Sequence, residues 1–396
     1  MPYHVRLLTP EDQTAAWKLG SLAFGYHDRD MPQDWTSDTP GRRTWGAFDD
    51  SGRLVAKAVD REQGQWFGGR IVPTSGIAGV VVAPEWRGQG LARLVITRLL
   101  ADARDRGAVI STLFPTTPFP YRRLGWEEVG ALSYTAIPAM ALAGVRAVRG
   151  VTLRPAEEAD VPAIHEIYRT VAQTGTGMME RSGPLFTTTH ADLLADFNGV
   201  TVAVGPEGTV EGYASWDRGP GYDETGKVTV HELIATTPAA TSTLLAMFAG
   251  WASVAPNLAF RFAFDDPALL AFSSANARVE SHQPWMIRMV DVAGAVAARG
   301  WPSLLHGQVD LELEDEACPW NAGAHRLVLS GGQGKLEAGG NGEVRLTERG
   351  LGLLYAGAAT PSVLRRAGFL SGGDAGTDEF LQAAAAGPVP TLHDYF

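Results

Sequence analysis

The sequence predicts an α+β protein of three domains, in which two units of the same plan are followed by a third of a different kind. The chain has 396 residues, more than one domain usually contains. A short strand, a turn and an acidic helix start occur at residues 5–12 and again at residues 151–158. Beyond about residue 290 the pattern changes to alternating strands with Gly-rich turns. We therefore predict domains at residues 1–148, 149–288 and 289–396.

The two units also correspond further along the chain. In the first, residues 80–82 form an apolar strand, and residues 91–106 then have the spacing of an amphipathic helix. In the second, residues 228–235 are the matching strand and residues 242–251 the matching helix. Residues 241–244 then correspond to residues 87–90, the loop between strand and helix in the first unit.

The third domain is predicted from shorter elements. Residues 293–299 and 361–367 are predicted helices, and residues 344–347 alternate like a strand with one buried face. The apolar run at residues 351–355 is either core or the wall of a ligand tunnel, and the pattern leaves both open.

Composition narrows the class of protein. Hydrophobic residues make up 45% and charged residues 19%, which suits packed domains rather than disorder. The single cysteine, Cys318, cannot form an intrachain disulfide or a cysteine-based metal site. The start of the chain lacks the basic and apolar regions of a secretory signal, and no apolar run reaches the length of a membrane span. We expect a cytoplasmic protein.

Net charge is −11. This acidity disfavours nucleic acid and anionic membranes as partners and favours cationic small molecules or basic peptides. Solubility alone is an equally good explanation of the acidity. Histidines are scattered without ligand spacing, so no metal is predicted.

One segment carries most of the chemical information. The predicted strand is followed by Arg87, Gly88, Gln89 and Gly90, and then by a long helix. Glycines allow backbone N–H groups to turn toward one point, and a helix N-terminus adds further N–H groups and the positive end of its dipole. This arrangement predicts a pyrophosphate site. The alternative is a tight turn without a ligand, which gives no reason for the Arg-Gly-Gln-Gly cluster.

The segment does not match the Walker A pattern or the dinucleotide Gly-x-Gly-x-x-Gly pattern. It resembles the acetyl-CoA loop of the GCN5-related N-acetyltransferase (GNAT) superfamily, Arg/Gln-x-x-Gly-x-Gly/Ala, filled here by Arg87, Gly90 and Ala92. The resemblance implies that backbone groups of the strand bind the pantetheine arm and that the loop binds the pyrophosphate. The implied cofactor-binding residues are Val80, Val81, Val82, Arg87, Gly88, Gln89, Gly90, Leu91 and Ala92.

A second motif lies about 30 residues further on. Tyr121, followed by Gly125 and Trp126, resembles the Tyr-x-x-x-Gly-Phe/Tyr segment of the same superfamily, in which the tyrosine faces the cofactor sulfur. A phenol with a pKa near 10 can protonate a departing thiolate. We predict that Tyr121 is the catalytic acid; a tyrosine packed in a turn is the alternative.

Two tandem units followed by a third domain resemble the Eis (enhanced intracellular survival) family of aminoglycoside acetyltransferases over essentially the whole chain. This resemblance implies a sterol-carrier-protein-like third domain, a hexamer, and a C-terminal carboxylate that acts as the base. Phe396 holds that last position, and the alternative is a frayed chain end. Asp28, Trp35 and Asp394 are candidates to bind a cationic acceptor, and the loop at residues 24–30 would line the cleft. The alternative for each aspartate is an ordinary surface acid.

The second unit has no glycine at residues 241–244, so we expect it to lack acetyl transfer. The predicted function is direct transfer of acetyl from acetyl-CoA to an amine such as an aminoglycoside. A protein lysine or a polyamine is an alternative acceptor, and a lipid- or ligand-binding protein without catalysis is an alternative of a different class.

Overall fold

The computed structural model describes residues 3–26, 28–33, 35–36, 39–263 and 265–396. The first unit is a sheet with helices packed on its faces. Its strands are β1 (His4–Leu7), β2 (Arg42–Phe48), β3 (Leu54–Phe67), β4 (Arg70–Val82), β5 (Ile110–Leu113) and β6 (Glu127–Pro138), and its helices are α1 (Gln13–Phe24), α2 (Leu91–Asp105) and α3 (Phe119–Arg122).

The second unit shares the first strand and helix, the three-strand run that leads into a helix, and the final two strands, but it inserts β8 and α5 and, within the described residues, has no α-helix between its last two strands. Its strands are β7 (Thr152–Pro155), β8 (Thr176–Glu180), β9 (Gly199–Val204), β10 (Val210–Arg218), β11 (Lys227–Ala235), β12 (Asn257–Phe260) and β13 (Arg278–Met289), and its helices are α4 (Val161–Thr174), α5 (His190–Ala195) and α6 (Pro238–Ala249).

The repeat seen in the sequence is also a repeat of contacts. Arg6 at the end of β1 pairs with Asp12 at 2.6 Å, and Arg154 at the end of β7 pairs with Asp160 at 2.6 Å. In both places the acid closes a capping box at the helix start. The same local solution therefore begins each unit.

The sheets of the two units are continuous because each unit lends a strand to the other. Strand β13 pairs with β5 and β6, and β6 pairs with β12. The described strands follow the order β1-β2-β3-β4-β5-β13-β6-β12-β11-β10-β9-β7, and β8 pairs with β3. Within the described residues, this pairing leaves no exposed strand edge between the two units.

The third domain packs helices against a separate sheet of order β16-β15-β14-β17-β18. Its strands are β14 (Gly307–Glu314), β15 (Gly323–Ser330), β16 (Gln333–Ala338), β17 (Val344–Thr347) and β18 (Leu370–Gly372), and its helices are α7 (Val292–Ala298), α8 (Glu348–Ala356), α9 (Pro361–Arg366) and α10 (Ala375–Ala384). Within the described residues, no helix is both long enough and apolar enough to cross a membrane.

Most predicted elements are present, with one correction. Helix α2 and strand β17 lie where the patterns predict them. The helix expected at residues 242–251 begins earlier, at Pro238, so residues 241–244 belong to α6 and are not a loop. The prediction failed because Thr237 and Pro238 form a compact helix start directly after the strand.

Candidate active site

The central feature of the first unit is an opening between β4 and β5. The two strands pair in parallel only from Thr74 to Ile77 on β4. Beyond Ile77, β4 continues beside β3 to Val82, and in the described structure no strand covers its other edge. A bulge at residues 79–80 interrupts the register with β3. Backbone groups of residues 78–82 are therefore available to a ligand.

The loop after β4 is shaped by two glycines. Gly88 and Gly90 both have φ of 78°, a left-handed conformation that favours glycine. A Cβ atom added to either would meet nothing within 4 Å, so the loop faces open space. Gly90 is the N-cap of α2 and, among the described residues, no side chain caps it. The first N–H groups of α2 are free to bind an anion.

Helix α2 holds this loop firmly. It buries Leu91, Val95 and Leu99 at four-residue spacing against the first unit's core. The Arg87 side chain donates back to the Val82 carbonyl at 3.4 Å, and the Tyr3 hydroxyl donates to Gln89. These two hydrogen bonds connect the loop to β4 and to the start of the chain.

Tyr121 lies on the α2 side of the opening. It is a half-buried residue of α3, and it packs with Val80 and Val82 against one core. Its ring meets Trp126 edge-on, with 6.2 Å between ring centroids. Burial raises the pKa of Tyr121 to about 12, so the phenol keeps its proton throughout the physiological range.

A buried ion pair fixes the turn that follows Tyr121. Arg288 of β13 is fully buried and donates to both carboxylate oxygens of Asp315, at 2.7 and 2.6 Å. It also donates to the carbonyl of Leu124, three residues after Tyr121. The sequence analysis did not identify Arg288 or Asp315. An arginine inside an apolar strand at residues 285–290 was the available signal.

The C-terminal tail approaches the opening from the other face of the sheet. The Thr391 N–H donates to the Thr176 carbonyl at 2.7 Å, and Leu392 is 1% exposed. A Cβ atom on Gly130 would lie 2.4 Å from the Pro390 carbonyl oxygen. The tail therefore lies closer to the Gly130 backbone than a residue with a side chain would permit. The tail is a docked segment rather than a frayed end.

The last two residues lie against Phe114, which directly follows β5. Ring centroids of Tyr395 and Phe396 are 4.7 and 5.5 Å from that of Phe114. The Arg61 guanidinium carbon is 5.7 Å from the centre of the Phe396 ring. The structure thus places Phe396 and Tyr121, 275 positions apart, on opposite faces of the sheet near the β4–β5 opening.

Asp394 is engaged within the second unit. It accepts from Arg181 at 3.0 Å and from the Tyr168 hydroxyl at 3.1 Å, and Arg181 also pairs with Glu232. Burial acts against ionisation, but the Arg181 charge lowers the pKa of Glu232 to about 2. A cavity of about 320 Å³ opens beside this cluster. Asp394 anchors the tail, and it shares the single positive charge of Arg181 with Glu232.

The other predicted acceptor residues lie near α1. Trp35 packs edge-on against Trp17, with 5.4 Å between centroids, and its carbonyl accepts from Gln13. Asp28 is exposed in the loop after α1. His27 of the same loop lies outside the described residues. Trp35 therefore braces α1, on the same side of the sheet as Val81.

The matching junction of the second unit is closed. Helix α6 begins with Pro238, and the Thr237 hydroxyl accepts from the Ala240 N–H at 3.2 Å. The same hydroxyl donates to Glu211 at 2.8 Å, which brings a carboxylate to this helix start. A phosphate would meet a capped N-terminus and a negative charge.

Two strand–loop–helix units, of which one retains an open anion loop, define an acetyltransferase fold with one candidate cofactor site. Residues 4–129 match an acetyltransferase (GNAT) domain family, residues 177–289 match another, and residues 292–392 match a sterol carrier protein domain family. An uncharacterised N-acetyltransferase of Streptomyces coelicolor is 30% identical over 318 residues, 76% of this chain and 75% of that protein. The chain belongs to the GNAT family of N-acetyltransferases, whose acyl donor is acetyl-CoA.

Solved structures agree with this assignment. A GCN5-related N-acetyltransferase from Kribbella flavida is 28% identical with a TM-score of 0.83, and the match covers 100% of this chain and 98% of that one. Eis1 from Mycobacterium abscessus is 21% identical with a TM-score of 0.80, and the match covers 100% of both chains. The predicted order of two GNAT domains and a sterol-carrier-like domain is confirmed; the likeness to Eis1 shows the shared fold.

Proposed function

We propose that the chain transfers acetyl directly from acetyl-CoA to an acceptor amine in its first unit. One observation carries this proposal: a docked C-terminus and a protonated tyrosine approach the same strand opening from opposite faces. The second unit, with its capped α6, contributes the anchor of the tail rather than a second reaction centre.

The residues present fit acetyl-CoA. The open edge of residues 78–82 suits the amide groups of the pantetheine arm, and the uncapped start of α2 suits the pyrophosphate. When bound, acetyl-CoA supplies the thioester carbonyl. A backbone N–H at the β4 bulge would stabilise the negative charge that develops on the carbonyl oxygen.

Two groups move protons in this proposal, the Phe396 carboxylate and the Tyr121 hydroxyl. The Phe396 carboxylate takes a proton from the acceptor ammonium, directly or through water, and the neutral nitrogen attacks the carbonyl carbon. A C–N bond forms, the C–S bond breaks, and the sulfur receives the phenolic proton of Tyr121. The nitrogen then loses its second proton, which passes through water to the Tyr121 phenolate and restores the phenol, while the proton on Phe396 leaves to solvent. The high pKa of Tyr121 keeps that proton available. Cys318 is buried, and burial raises the pKa of its thiol to about 12, which argues against an acyl-cysteine intermediate.

The identity of the acceptor amine rests on the family resemblance. The Eis resemblance suggests aminoglycosides; a protein lysine and a polyamine are alternatives. It also suggests a homo-oligomer, specifically a hexamer. These remain expectations that rest on the resemblance.

A lipid-binding function of the third domain is poorly supported. The apolar helix α8 contributes Leu351, Leu354 and Tyr355 to the wall of a cavity of about 20 Å³. Such a space holds roughly one water molecule and no acyl chain. The run predicted as core or tunnel is core in this structure.

The test is release of CoA thiol from acetyl-CoA with a panel of kanamycin, neomycin, spermidine and a lysine peptide. Tyr121→Phe should lower kcat by about 10²- to 10⁴-fold, since proton donation is lost. Deletion of Phe396 should lower kcat to a similar degree, because it moves the carboxylate by one residue.

Two further variants separate the carboxylate from the ring. Phe396→Leu retains a terminal carboxylate and should retain most activity, whereas addition of one glycine after Phe396 retains the ring and should fail. Calorimetry should give unchanged acetyl-CoA affinity in all four variants. Full activity of the glycine-extended protein would refute the carboxylate base, and absence of acetyl-CoA binding would refute the whole proposal.

A further inference from the structure

Three cationic side chains share the face of the first unit's sheet that lies opposite α2. Lys57 and Arg61 are on β3, four residues apart, and Arg42 of β2 is directly opposite Arg61. Residues with this spacing and register point to the same face. The neighbouring Arg43 confirms the assignment, since it points to the other face and pairs with Asp102 of α2 at 3.2 Å.

These cations lack partners in the described part of the chain. No ion pair or side-chain hydrogen bond involves Arg42, Lys57 or Arg61 there, including any with the Phe396 carboxylate. Lys57 is 7% exposed, and the Nε of Arg61 is buried without an acceptor. Burial and the nearby Arg42 lower the pKa of Lys57 to about 8 and that of Arg61 to about 10.

A fourth polar group on this face is also unsatisfied. Both the oxygen and the nitrogen of the Gln63 amide are buried without a partner, and the side chain is 7% exposed. The amide covers Gly76 of β4, the residue paired with Arg61. Buried polar groups normally have partners, so within the described residues the unsatisfied Gln63 amide and Arg61 Nε, beside the unpaired charges of Arg42 and Lys57, indicate a ligand that supplies partners.

The face lies where the acceptor must bind. Lys57 and Arg61 are on either side of Val59 along β3. Val59 contacts the β4 bulge: its Cγ2 atom is 3.2 Å from the position that a Cβ atom on Gly79 would occupy. Side chains two residues apart on a strand are roughly 7 Å apart. Arg61 also faces the Phe396 ring. The cations therefore line one side of the space between the β4 bulge and the C-terminus, with Lys57 toward α1 and Arg61 toward Phe396.

Asp394, the acid near these cations, is engaged elsewhere. Asp394 is the described carboxylate whose charge acts on Arg61, and it is already bound by Arg181 and Tyr168. Although the whole chain has a net charge of −11, this face carries positive charge. Such a site repels a polycation, and guanidinium groups bind carboxylate and phosphate in a bidentate manner.

We propose that the acceptor is an amine that also carries an anionic group, a carboxylate or a phosphate, which Arg42 and Arg61 bind. This proposal rests on the acetyl transfer proposed above and names its substrate class. The anionic group takes no part in the bonds that form or break. It holds the amine between the Phe396 carboxylate and the thioester, and the positive field of the face lowers the pKa of the acceptor ammonium.

The experiment compares amines that differ by one anionic group: lysine with cadaverine, and glucosamine 6-phosphate with glucosamine. The two pairs distinguish carboxylate from phosphate, and kanamycin and spermidine are the polycations. The kcat/KM for at least one anionic member should exceed that of its partner by roughly tenfold to a hundredfold. In Arg61→Gln and Arg42→Gln this ratio should fall toward one, through KM.

Arg43→Gln is the matched control, because it removes the same charge from the adjacent position but from the opposite face. It should leave the ratio unchanged. Equal use of both members of each pair, preference for the polycations, or a preference that persists in the Arg61 and Arg42 variants would overturn the proposal. A loss of acetyl-CoA affinity in those variants would also overturn it, since the cations would then serve the cofactor.

Binding measured by calorimetry in the presence of CoA separates the two proposals. If the anionic members bind more tightly but no amine is acetylated, the acceptor class stands and the proposed chemistry fails. If all amines are acetylated without regard to charge, the chemistry stands and the acceptor class fails.

Discussion

The strand-to-helix junctions of the two GNAT units differ in what lies at the start of the helix. At the start of α2 two left-handed glycines leave the N–H groups open, whereas at the start of α6 Thr237 and Pro238 close the helix and Glu211 adds negative charge. The second unit instead contributes a buried arginine, Arg181, that holds the tail. The two units of one fold thus differ: one leaves its helix start open to an anion, and the other holds the C-terminal tail through Arg181.

The largest expected effect concerns the buried arginine beside the first junction. Arg288→Met leaves Asp315 buried without its partner and should lower the free energy of unfolding by about 3–5 kcal/mol, measured in urea. Arg93→Met is the matched control, since its pair with Glu316 is exposed and should contribute less than about 1 kcal/mol. Equal effects of the two substitutions would contradict the bracing role of Arg288.

The open junction can be tested by making it resemble the closed one. In Gly90→Thr a β-branched residue must adopt φ near 78°, which costs about 1–3 kcal/mol. Acetyl-CoA affinity should therefore fall by roughly 10- to 100-fold by calorimetry. Thr237→Gly, the reciprocal change in the second unit, should not alter acetyl-CoA binding. Binding unaffected by Gly90→Thr would show that the nucleotide lies elsewhere.

The tail anchor predicts a dependence of stability on pH. His393 is 5% exposed, and burial, opposed by Glu232, lowers its pKa to about 4. In the unfolded chain the His393 imidazole has a pKa near 6.5, so as pH falls the unfolded state binds the proton before the folded state does. The contribution of His393 to stability is therefore complete above about pH 6.5 and is lost toward pH 4. Between pH 7 and pH 5 this amounts to about 2 kcal/mol.

His393→Gln, compared with the parent chain by urea unfolding at both pH values, should reduce the loss of stability by that amount. Glu232, Asp394, Arg181 and Arg261 surround His393 and are present in both proteins, so the difference isolates the histidine. An unchanged loss in the variant would assign the acid sensitivity to other groups.

The smallest effect concerns the cap of the closed junction. Thr237→Ala removes the hydroxyl that accepts from the Ala240 N–H and should cost about 1 kcal/mol of stability. The kcat for acetyl transfer should not change, because α6 takes no part in the reaction. A large fall in kcat with unchanged unfolding would mean that the second junction also has a catalytic role.

Much of the first unit could be predicted because its signals are local. Gly88, Gly90 and the apolar spacing of α2 are contiguous, and their chemistry predicts an open helix start. The repeat could be recognised because the same short motif, an arginine that pairs with an aspartate six residues later, begins each unit. The start of α6 was misplaced because a Thr-Pro pair at a strand end is also compatible with a turn.

The sequence by itself determined the class of fold and the glycine-containing loop between β4 and α2, and it suggested Tyr121 and Phe396 as candidates for proton transfer. Tertiary structure alone decided how distant groups meet: the pair of Arg288 with Asp315, the passage of the tail over Gly130, and the common face of Arg42 and Arg61. The reason is physical. A shift of one residue in the register of β2 and β3 would move a side chain to the opposite face, and register is set by the packing of the whole sheet rather than by neighbouring residues.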